Sequence, residues 1–187
     1  GLLGAMVVGL LSGYFGGLLD VLVQRVVDAF MCFPLLLVAL TIMALLGPGL
    51  ANVILTVGLV LAVRDSRVIR GAVLGVKANL YVESARALGA SHGVIIRRYV
   101  LPNIFAPILI LATVNLGGVI LIEAAQSFLG FGVQPPSPDW SLQIAENYTL
   151  LTAGTYWWTV LFAGLAIATL VIGVKFIADA LEHGVDQ

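Results

Sequence analysis

Apolar positions dominate four long uncharged runs of the chain, and the charged residues lie in the segments between and after these runs. The uncharged runs cover residues 1–19, 29–63, 101–122 and 154–174. Because these runs are apolar on every face, they predict transmembrane helices of about 20 residues. A membrane β-barrel would instead show alternating segments of about ten residues. The pattern therefore predicts an all-α fold, a polytopic transmembrane helical bundle.

The second run is too long for one span, and it contains the turn-rich sequence "GPGLAN" at 47–52. We interpret it as two spans, at roughly 30–46 and 50–64, with Arg64 reaching the membrane surface. The chain is then predicted to cross the membrane five times.

Composition supports this class. Hydrophobic residues make up 60% of the chain and charged residues 10%, whereas a soluble domain carries about a quarter charged residues. The alternative is a set of helices hidden inside a very large assembly. The length suits one domain, 1–187. The single cysteine, Cys32, excludes a disulfide within the chain and is predicted to be a buried structural thiol.

The basic residues predict the orientation. The outer connections, 47–52 and 130–153, contain no Lys or Arg, so loop 65–100 and the C-terminus are predicted to be cytoplasmic. The nine basic residues on the predicted inner side are Arg25, Arg64, Arg67, Arg70, Lys77, Arg86, Arg97, Arg98 and Lys175. The N-terminus lacks the basic region of a signal peptide, and the chain is predicted to be a fragment.

Gly9, Gly13 and Gly17 recur at four-residue spacing in the first run, next to Ser12 and Gly16. Such a ridge of small residues allows another helix to approach closely. The partner helix is expected within this chain or, alternatively, in another subunit.

The loop 65–100 is longer than a connector requires, yet it holds no phosphate-binding loop, metal-ligand spacing or nucleophile–base pair. Its segment "YVESARALGAS" (81–91) predicts a short helix in which Glu83 pairs with Arg86 and Gly89 ends the helix or admits a partner backbone. Its apolar stripe, suited to docking in a groove of another protein, consists of Val82, Ala85 and Leu88 or Gly89. The alternative is a solvated connector.

This loop resembles the "EAA" loop of the permeases of binding-protein-dependent ABC importers. That motif reads E-A-A, three residues, G, nine residues, I, one residue, L-P. The matching positions are Glu83, Ala85, Gly89, Leu101 and Pro102. Ser84 replaces an Ala and Tyr99 an Ile, and both replacements keep the character of the position.

The resemblance extends over nearly the whole chain. Motifs similar to the dipeptide/oligopeptide/nickel subfamily, C-type subunit, are "GYFGGLLD" at 13–20, "FPLLLVAL" at 33–40, "LGPGL" at 46–50, "VLPN" at 100–103 and "FLGFGVQPPSPDW" at 128–140. The resemblance implies a type I importer permease with six spans, of which this chain lacks the first. The tail "IADALEHGVDQ" at 177–187 matches less well.

The resemblance also implies the function and the partners. The chain would form half of a translocation path for peptides or a similar small solute, such as nickel. It would pair with a second permease subunit as a heterodimer, with two cytoplasmic ATP-binding subunits and with a periplasmic or lipid-anchored substrate-binding protein, in a bacterial or archaeal inner membrane. ATP and Mg would be bound by the ATPase subunits, so this chain would be non-catalytic, hold no metal or other cofactor and bind no nucleic acid.

The ATPase-coupling residues implied by the resemblance are Glu83, Ser84, Ala85, Arg86, Ala87, Leu88, Gly89, Ala90, Ser91, Leu101 and Pro102. The motif helix would dock in a cleft of the ATPase and move with it.

On the predicted outer side, Glu123 is a carboxylate near the membrane boundary and thus a functional candidate. A structural role, as acceptor from backbone N–H groups of "SFLGFG", is the alternative. The candidate outer gate, which would also dock the binding protein, comprises Glu123, Gln134, Pro135, Pro136 and Trp140. Plain interfacial anchoring explains the aromatic residues equally well.

The remaining polar residues are predicted to have local roles. Asp20 and Asp28 are expected to pair with Arg25 or, alternatively, to contact the ATPase, and His92 is expected to be a surface residue. His183 is expected not to bind a metal. Two other function classes stay open: a stand-alone secondary carrier or channel, which would need no ATPase, and, less well supported, an intramembrane enzyme.

Overall fold

A computed structural model describes residues 1–185, except the side chains of 151, 152 and 181–185. The helices are α1 Leu2–Phe15, α2 Gly17–Met31, α3 Leu35–Leu46, α4 Leu50–Lys77, α5 Leu80–Ala87, α6 His92–Ile95, α7 Leu101–Phe128, α8 Trp140–Thr152 and α9 Trp158–Val185, with a π-helical turn at Ile96–Val100. The described residues contain no strand, and the all-α prediction is confirmed.

Among the described residues, two helical segments are long and apolar enough to cross a membrane, His92–Phe128 and Trp158–Ala180. A third candidate is the pair formed by α2 and α3, which is bent by 91°. The apolar helix α1 is shorter, at 14 residues, and α4 continues past its predicted end through several charged residues to Lys77. The chain is thus a multi-pass membrane protein, and the count of five spans stays a prediction.

The chain divides into two compact units. Unit 1 consists of Gly1–Phe33 and Leu59–Ala112, and unit 2 consists of Pro34–Gly58 and the chain from Thr113 onward. Each unit is described by itself below.

The glycine ridge of α1 packs against α4 inside unit 1. A methyl group placed on Gly9 would lie 2.6 Å from the carbonyl oxygen of Ser66, and one on Gly13 would lie 3.0 Å from that of Arg70. Only a residue without a side chain allows the two backbones this close. The prediction of a partner helix within the chain is confirmed for these two glycines. Gly17 instead begins α2 with a φ of +62°.

The polar face of α2 turns inward in unit 1, and most of its apolar side chains are exposed. Asp20, Gln24 and Asp28 lie four residues apart and therefore share one face. Their partners are Arg70, Ser12 and Arg67, respectively. The predicted pairing of both aspartates with Arg25 is wrong, because α4 offers two arginines opposite this face.

Cys32 lies at the bend between α2 and α3, just before Pro34 begins the new helix direction. Its side chain is exposed, so the prediction of a buried thiol is wrong. The one sign of the bend in the surrounding apolar run is Pro34, which the two-span interpretation did not use.

The turn predicted at "GPGLAN" is confirmed in unit 2. Gly47 has a φ of +83° and ends α3, and the side-chain amide of Asn52 donates to the carbonyl oxygens of Leu46 and Gly47 at 2.9 and 3.0 Å. The N–H of Gly49 donates to the carbonyl oxygen of Gly132 at 3.1 Å, which ties this turn to the segment after α7.

Candidate functional sites: the coupling loop and an acidic pocket

The helix predicted in the loop 65–100 is α5, which is eight residues long. The carbonyl oxygen of Asn79 accepts the N–H groups of Val82 and Glu83 at its start. Gly89 has a φ of +83°, and the next N–H, of Ala90, donates to the carbonyl oxygen of Ala85 at 3.0 Å. This bonding closes the helix as a glycine C-cap does. The prediction that Gly89 ends the helix is confirmed.

The predicted docking stripe divides into a buried and an exposed part. Val82 and Ala85 are buried, and Val82 belongs to the core of unit 1 together with Ile69, Val73 and Ile95. These two residues fix α5 to its own chain, so the prediction that they form an external docking surface is wrong. Helical periodicity identified an apolar face but could not tell an internal partner from an external one.

The outward side of the loop is exposed and partly apolar. Leu88 is 89% exposed and Leu80 is 77% exposed. Glu83, Ser84, Arg86, Ala87, Gly89 and Ser91 are exposed as well, and Ala90 is partly so. The predicted pairing of Glu83 with Arg86 is wrong, since the salt bridges among the described side chains do not include it. Both charges are therefore available to a partner.

The helix that follows the loop begins earlier than predicted. It starts at His92 rather than at Leu101 and continues to Phe128 as one segment. Pro102 thus lies inside the helix, where it cannot donate a backbone hydrogen bond. The widened turn at Ile96–Val100 immediately precedes it. In such a π-helical turn, the backbone hydrogen bonds join residues five apart instead of four apart. Pro102 is exposed and Leu101 partly buried.

His92 lies on the surface, as predicted, but it also makes a specific contact. The hydroxyl of Tyr14 is 3.0 Å from Nδ1 of His92. Tyr14 itself is buried in the core of unit 1. Sequence reasoning missed Tyr14; its signals are its place in the motif "GYFGGLLD" and the glycine pair two residues further on.

The second candidate site is an open pocket of about 740 Å³ in unit 2. It is lined by Leu50, Glu123, Val133, Pro135, Pro136, Ser137, Pro138, Asp139, Trp140, Leu142, Gln143 and Glu146. The structure therefore brings together four members of the predicted outer gate. The fifth, Gln134, does not line the pocket; its amide group approaches the carbonyl oxygens of Gly130 and Gly132 at 3.3 and 3.4 Å.

Glu123 has a hydrogen-bond partner in this pocket. The hydroxyl of Ser127 donates to Oε1 of Glu123 at 2.7 Å, and the N–H of Val133 lies 3.4 Å from the same hydroxyl. The structural role considered for Glu123 is thus present, through a hydroxyl rather than backbone N–H groups. A methyl group on Gly132 would overlap Ser127, so glycine is required where this segment crosses the end of α7.

The predicted outer loop contains a helix, α8. Asp139 caps it, since the N–H of Ser141 donates to Oδ1 of Asp139 at 2.8 Å. The other carboxylate oxygen of Asp139 is buried without a hydrogen-bond partner. Both amide atoms of the fully buried Gln126 also lack one. The pocket region thus holds polar groups that are only partly satisfied.

The aromatic residues of α8 and of the segment that follows it are exposed, as expected of side chains at a membrane interface. Trp140, Tyr148, Tyr156, Trp157 and Trp158 are each at least 44% exposed. The residues Glu182, His183, Asp186 and Gln187, on which the predictions for the tail depend, lie outside the described side chains.

The chain belongs to the family of inner-membrane components of binding-protein-dependent transport systems, whose sequence pattern matches residues 5–187. It is 36% identical over 178 residues to the dipeptide transport system permease protein DppC of Alkalihalophilus pseudofirmus, covering 95% of this chain and 58% of the relative. It is 33% identical over 178 residues to the glutathione transport system permease protein GsiD of Pectobacterium atrosepticum, with the same coverage. The chain thus spans little more than half the length of these relatives.

The fold is similar to that of a solved transporter. A chain of the MetNI methionine ABC transporter, in an inward-facing conformation, matches with a TM-score of 0.66 at 18% identity, over 99% of this chain and 94% of that one. This likeness confirms the expected type I permease fold.

Proposed function

We propose that the chain is the membrane-spanning part of a permease subunit in an ATP-driven importer. The observation that carries the proposal is the helix α5, which is anchored to its own core by Val82 and Ala85 while Leu80 and Leu88 remain exposed. In a member of this permease family, such a fixed helix is suited to transmit force to and from a partner subunit.

The proposed docking surface combines apolar contact with charge. Leu88 and Leu80 would enter an apolar cleft of a cytoplasmic ATP-binding subunit, and burying each would contribute about 2 kcal/mol. Glu83 and Arg86 would find their ionic partners there, since neither pairs with the other in this chain.

The remaining assembly follows from this assignment. Loop 65–100 and the C-terminus would face the cytoplasm, and the acidic pocket would face outward as part of the gate. A second permease subunit, two ATPase subunits and a substrate-binding protein would complete the importer. ATP hydrolysis would then take place on the partners, and this chain would be non-catalytic.

Peptides are the proposed class of substrate. The names of the relatives support this class, since they specify dipeptide and glutathione transport. The three carboxylates that line the pocket, Glu123, Asp139 and Glu146, would favour a solute that carries an amino group.

Site-directed cross-linking tests the proposal. With Cys32→Ser as background, Leu88→Cys in the full-length permease is expected to cross-link to a co-expressed ATPase subunit. The matched control is Ala153→Cys, which is also exposed but lies in the predicted outer connection 130–153. If no ATPase co-purifies with the wild type and uptake proceeds without ATP, the proposal is wrong and the chain is a stand-alone carrier.

A further inference from the structure

Both ends of the coupling loop, residues 78–91, are bonded to one buried residue, Tyr14. The ammonium group of Lys77, which precedes the loop, donates to the carbonyl oxygen of Tyr14 at 2.7 Å. The imidazole of His92, which follows the loop, lies 3.0 Å from the hydroxyl of Tyr14. Tyr14 is 2% exposed, so these contacts reach into the core of unit 1.

Ring contacts reinforce the same junction. The rings of Tyr14 and His92 meet edge to face with their centroids 5.7 Å apart, and the ring of Phe15 is 6.0 Å from that of His92. The ammonium group of Lys77 also lies 5.8 Å from the centre of the Tyr14 ring. A displacement of either end of the loop therefore acts directly on the last turn of α1.

The chain bends immediately after this turn. Gly16 and Gly17, with φ values of +67° and +62°, form the elbow between α1 and α2. No atom lies within 4 Å of where a side chain on Gly17 would begin, so packing does not restrain the elbow there. Consecutive glycines are the backbone element best able to change direction.

A salt bridge holds the far side of the elbow. Arg70 donates through Nε and Nη2 to the two carboxylate oxygens of Asp20, each at 2.6 Å, and the hydroxyl of Ser12 donates to Oδ1 of Asp20 at 2.6 Å. The elbow is therefore fixed to α4 on one side and to the coupling loop on the other.

We infer that Tyr14 is the positioning residue that holds the coupling loop and transmits its displacement to the elbow between α1 and α2. This inference rests on the proposed docking of α5 on an ATPase. Tyr14 touches neither nucleotide nor the transported solute; it acts through Lys77 and His92.

The first test measures the anchoring itself. A nitroxide label at Leu88→Cys, in a Cys32→Ser background, reports the mobility of the loop in the membrane-reconstituted complex. Tyr14→Phe keeps the ring in the core and removes only the hydroxyl, so the label is expected to become more mobile. Tyr148→Phe, the same deletion in unit 2, is the matched control. Equal mobility in Tyr14→Phe and wild type would overturn the anchoring.

The second test measures transmission. The quantity is the number of ATP molecules hydrolysed per solute imported by the reconstituted importer. Loss of one hydrogen bond shifts the equilibrium between anchored and released loop about fivefold, and Tyr14→Phe is therefore expected to raise the ratio of ATP to solute as the released fraction grows. His92→Phe should have the same effect, and the double variant should not exceed either single variant. Independent, additive effects, or an unchanged ratio, would overturn the inference.

The two proposals fail in different ways. If Leu88→Cys still cross-links to the ATPase in Tyr14→Phe while the ratio is unchanged, only the inference about Tyr14 is wrong. If Leu88→Cys does not cross-link even with the wild-type tyrosine, the proposed function is wrong, and transmission through Tyr14 is wrong with it.

Discussion

The polar groups around the elbow between α1 and α2 have more of their partners than those of the acidic pocket region, although Oε1 of Gln24 near the elbow is buried without one. Around the elbow, Asp20, Arg70 and Lys77 each have close partners, at 2.6–2.7 Å. In the pocket region, Asp139 has one carboxylate oxygen without a partner, and buried Gln126 has none for its amide. Satisfied polar networks make a structure rigid, whereas unsatisfied buried groups are costly. The polar contacts of the first region thus fix α2 and the loop to the chain on both sides of the glycine elbow, whereas the second region holds buried polar atoms without partners.

Four variants test this contrast, and the largest effect is expected where two backbones touch. Gly9→Leu would force α1 away from α4, because even one methyl group would lie 2.6 Å from the carbonyl oxygen of Ser66. We expect a loss of about 3 kcal/mol in the free energy of unfolding, measured in detergent. Gly71→Leu, on the open side of α4, is the control and should fold normally. Equal stability of the two variants would mean that the ridge is not a close contact.

The next effect concerns the salt bridge at the elbow. Asp20→Ala removes the partner of Arg70, whose side chain is only 27% exposed, and should cost about 2 kcal/mol of folding stability. Asp28→Ala is the matched control, because the pair of Asp28 and Arg67 is 42% and 46% exposed and should contribute less than about 0.5 kcal/mol. Both losses can be read from urea-induced unfolding in mixed micelles. Similar losses in the two variants would contradict a specific clamp at Asp20.

A gain in stability is expected in the pocket region. Gln126→Leu replaces a buried, unpartnered amide with an apolar side chain of similar size, which should raise the melting temperature and stabilise the fold by about 1 kcal/mol. Gln143→Leu, in the pocket lining, is the comparison and should change little. A destabilised Gln126→Leu would mean that the amide has a partner in the assembled importer.

The smallest effect on stability is expected for Glu123→Gln. The amide oxygen can still accept from Ser127, so the free energy of unfolding should change by less than about 0.5 kcal/mol. Uptake of an amino-bearing solute should nevertheless fall, because the charge is lost. For Ser127→Ala we expect the reverse. The hydroxyl donor is lost and the charge of Glu123 is kept, so stability should fall and uptake should not. If Glu123→Gln affected stability and left uptake unchanged, the carboxylate would be structural.

Much of this architecture could be predicted from local sequence signals. The apolar runs predicted the helical class, Gly9 and Gly13 predicted a close helix partner, and Gly89 predicted the end of α5. Each of these features depends on backbone sterics or on hydrophobicity, which a short stretch of sequence contains.

The features that were missed depend on residues far apart in the chain. Asp20 lies five residues from Arg25 but bonds to Arg70. The path of the chain decides which arginine faces the polar face of α2. Val82 lies in the core of unit 1. Helical periodicity alone does not show whether an apolar face packs within the chain or against a partner. The contact of Tyr14 with His92 joins residues 78 positions apart, and the motif "GYFGGLLD" that contains Tyr14 does not point to His92.

The bond from Lys77 to Tyr14 has a genetic consequence, because its acceptor is a main-chain carbonyl. Substitution at position 14 removes the hydroxyl and the ring but leaves that oxygen in place. Substitution of Tyr14 therefore affects the two ends of the loop to different extents. A screen for uncoupled transport should recover changes at position 14 that release His92 and remove only the ring contact of Lys77, whereas the hydrogen bond at the entry of the loop is lost through position 77 itself.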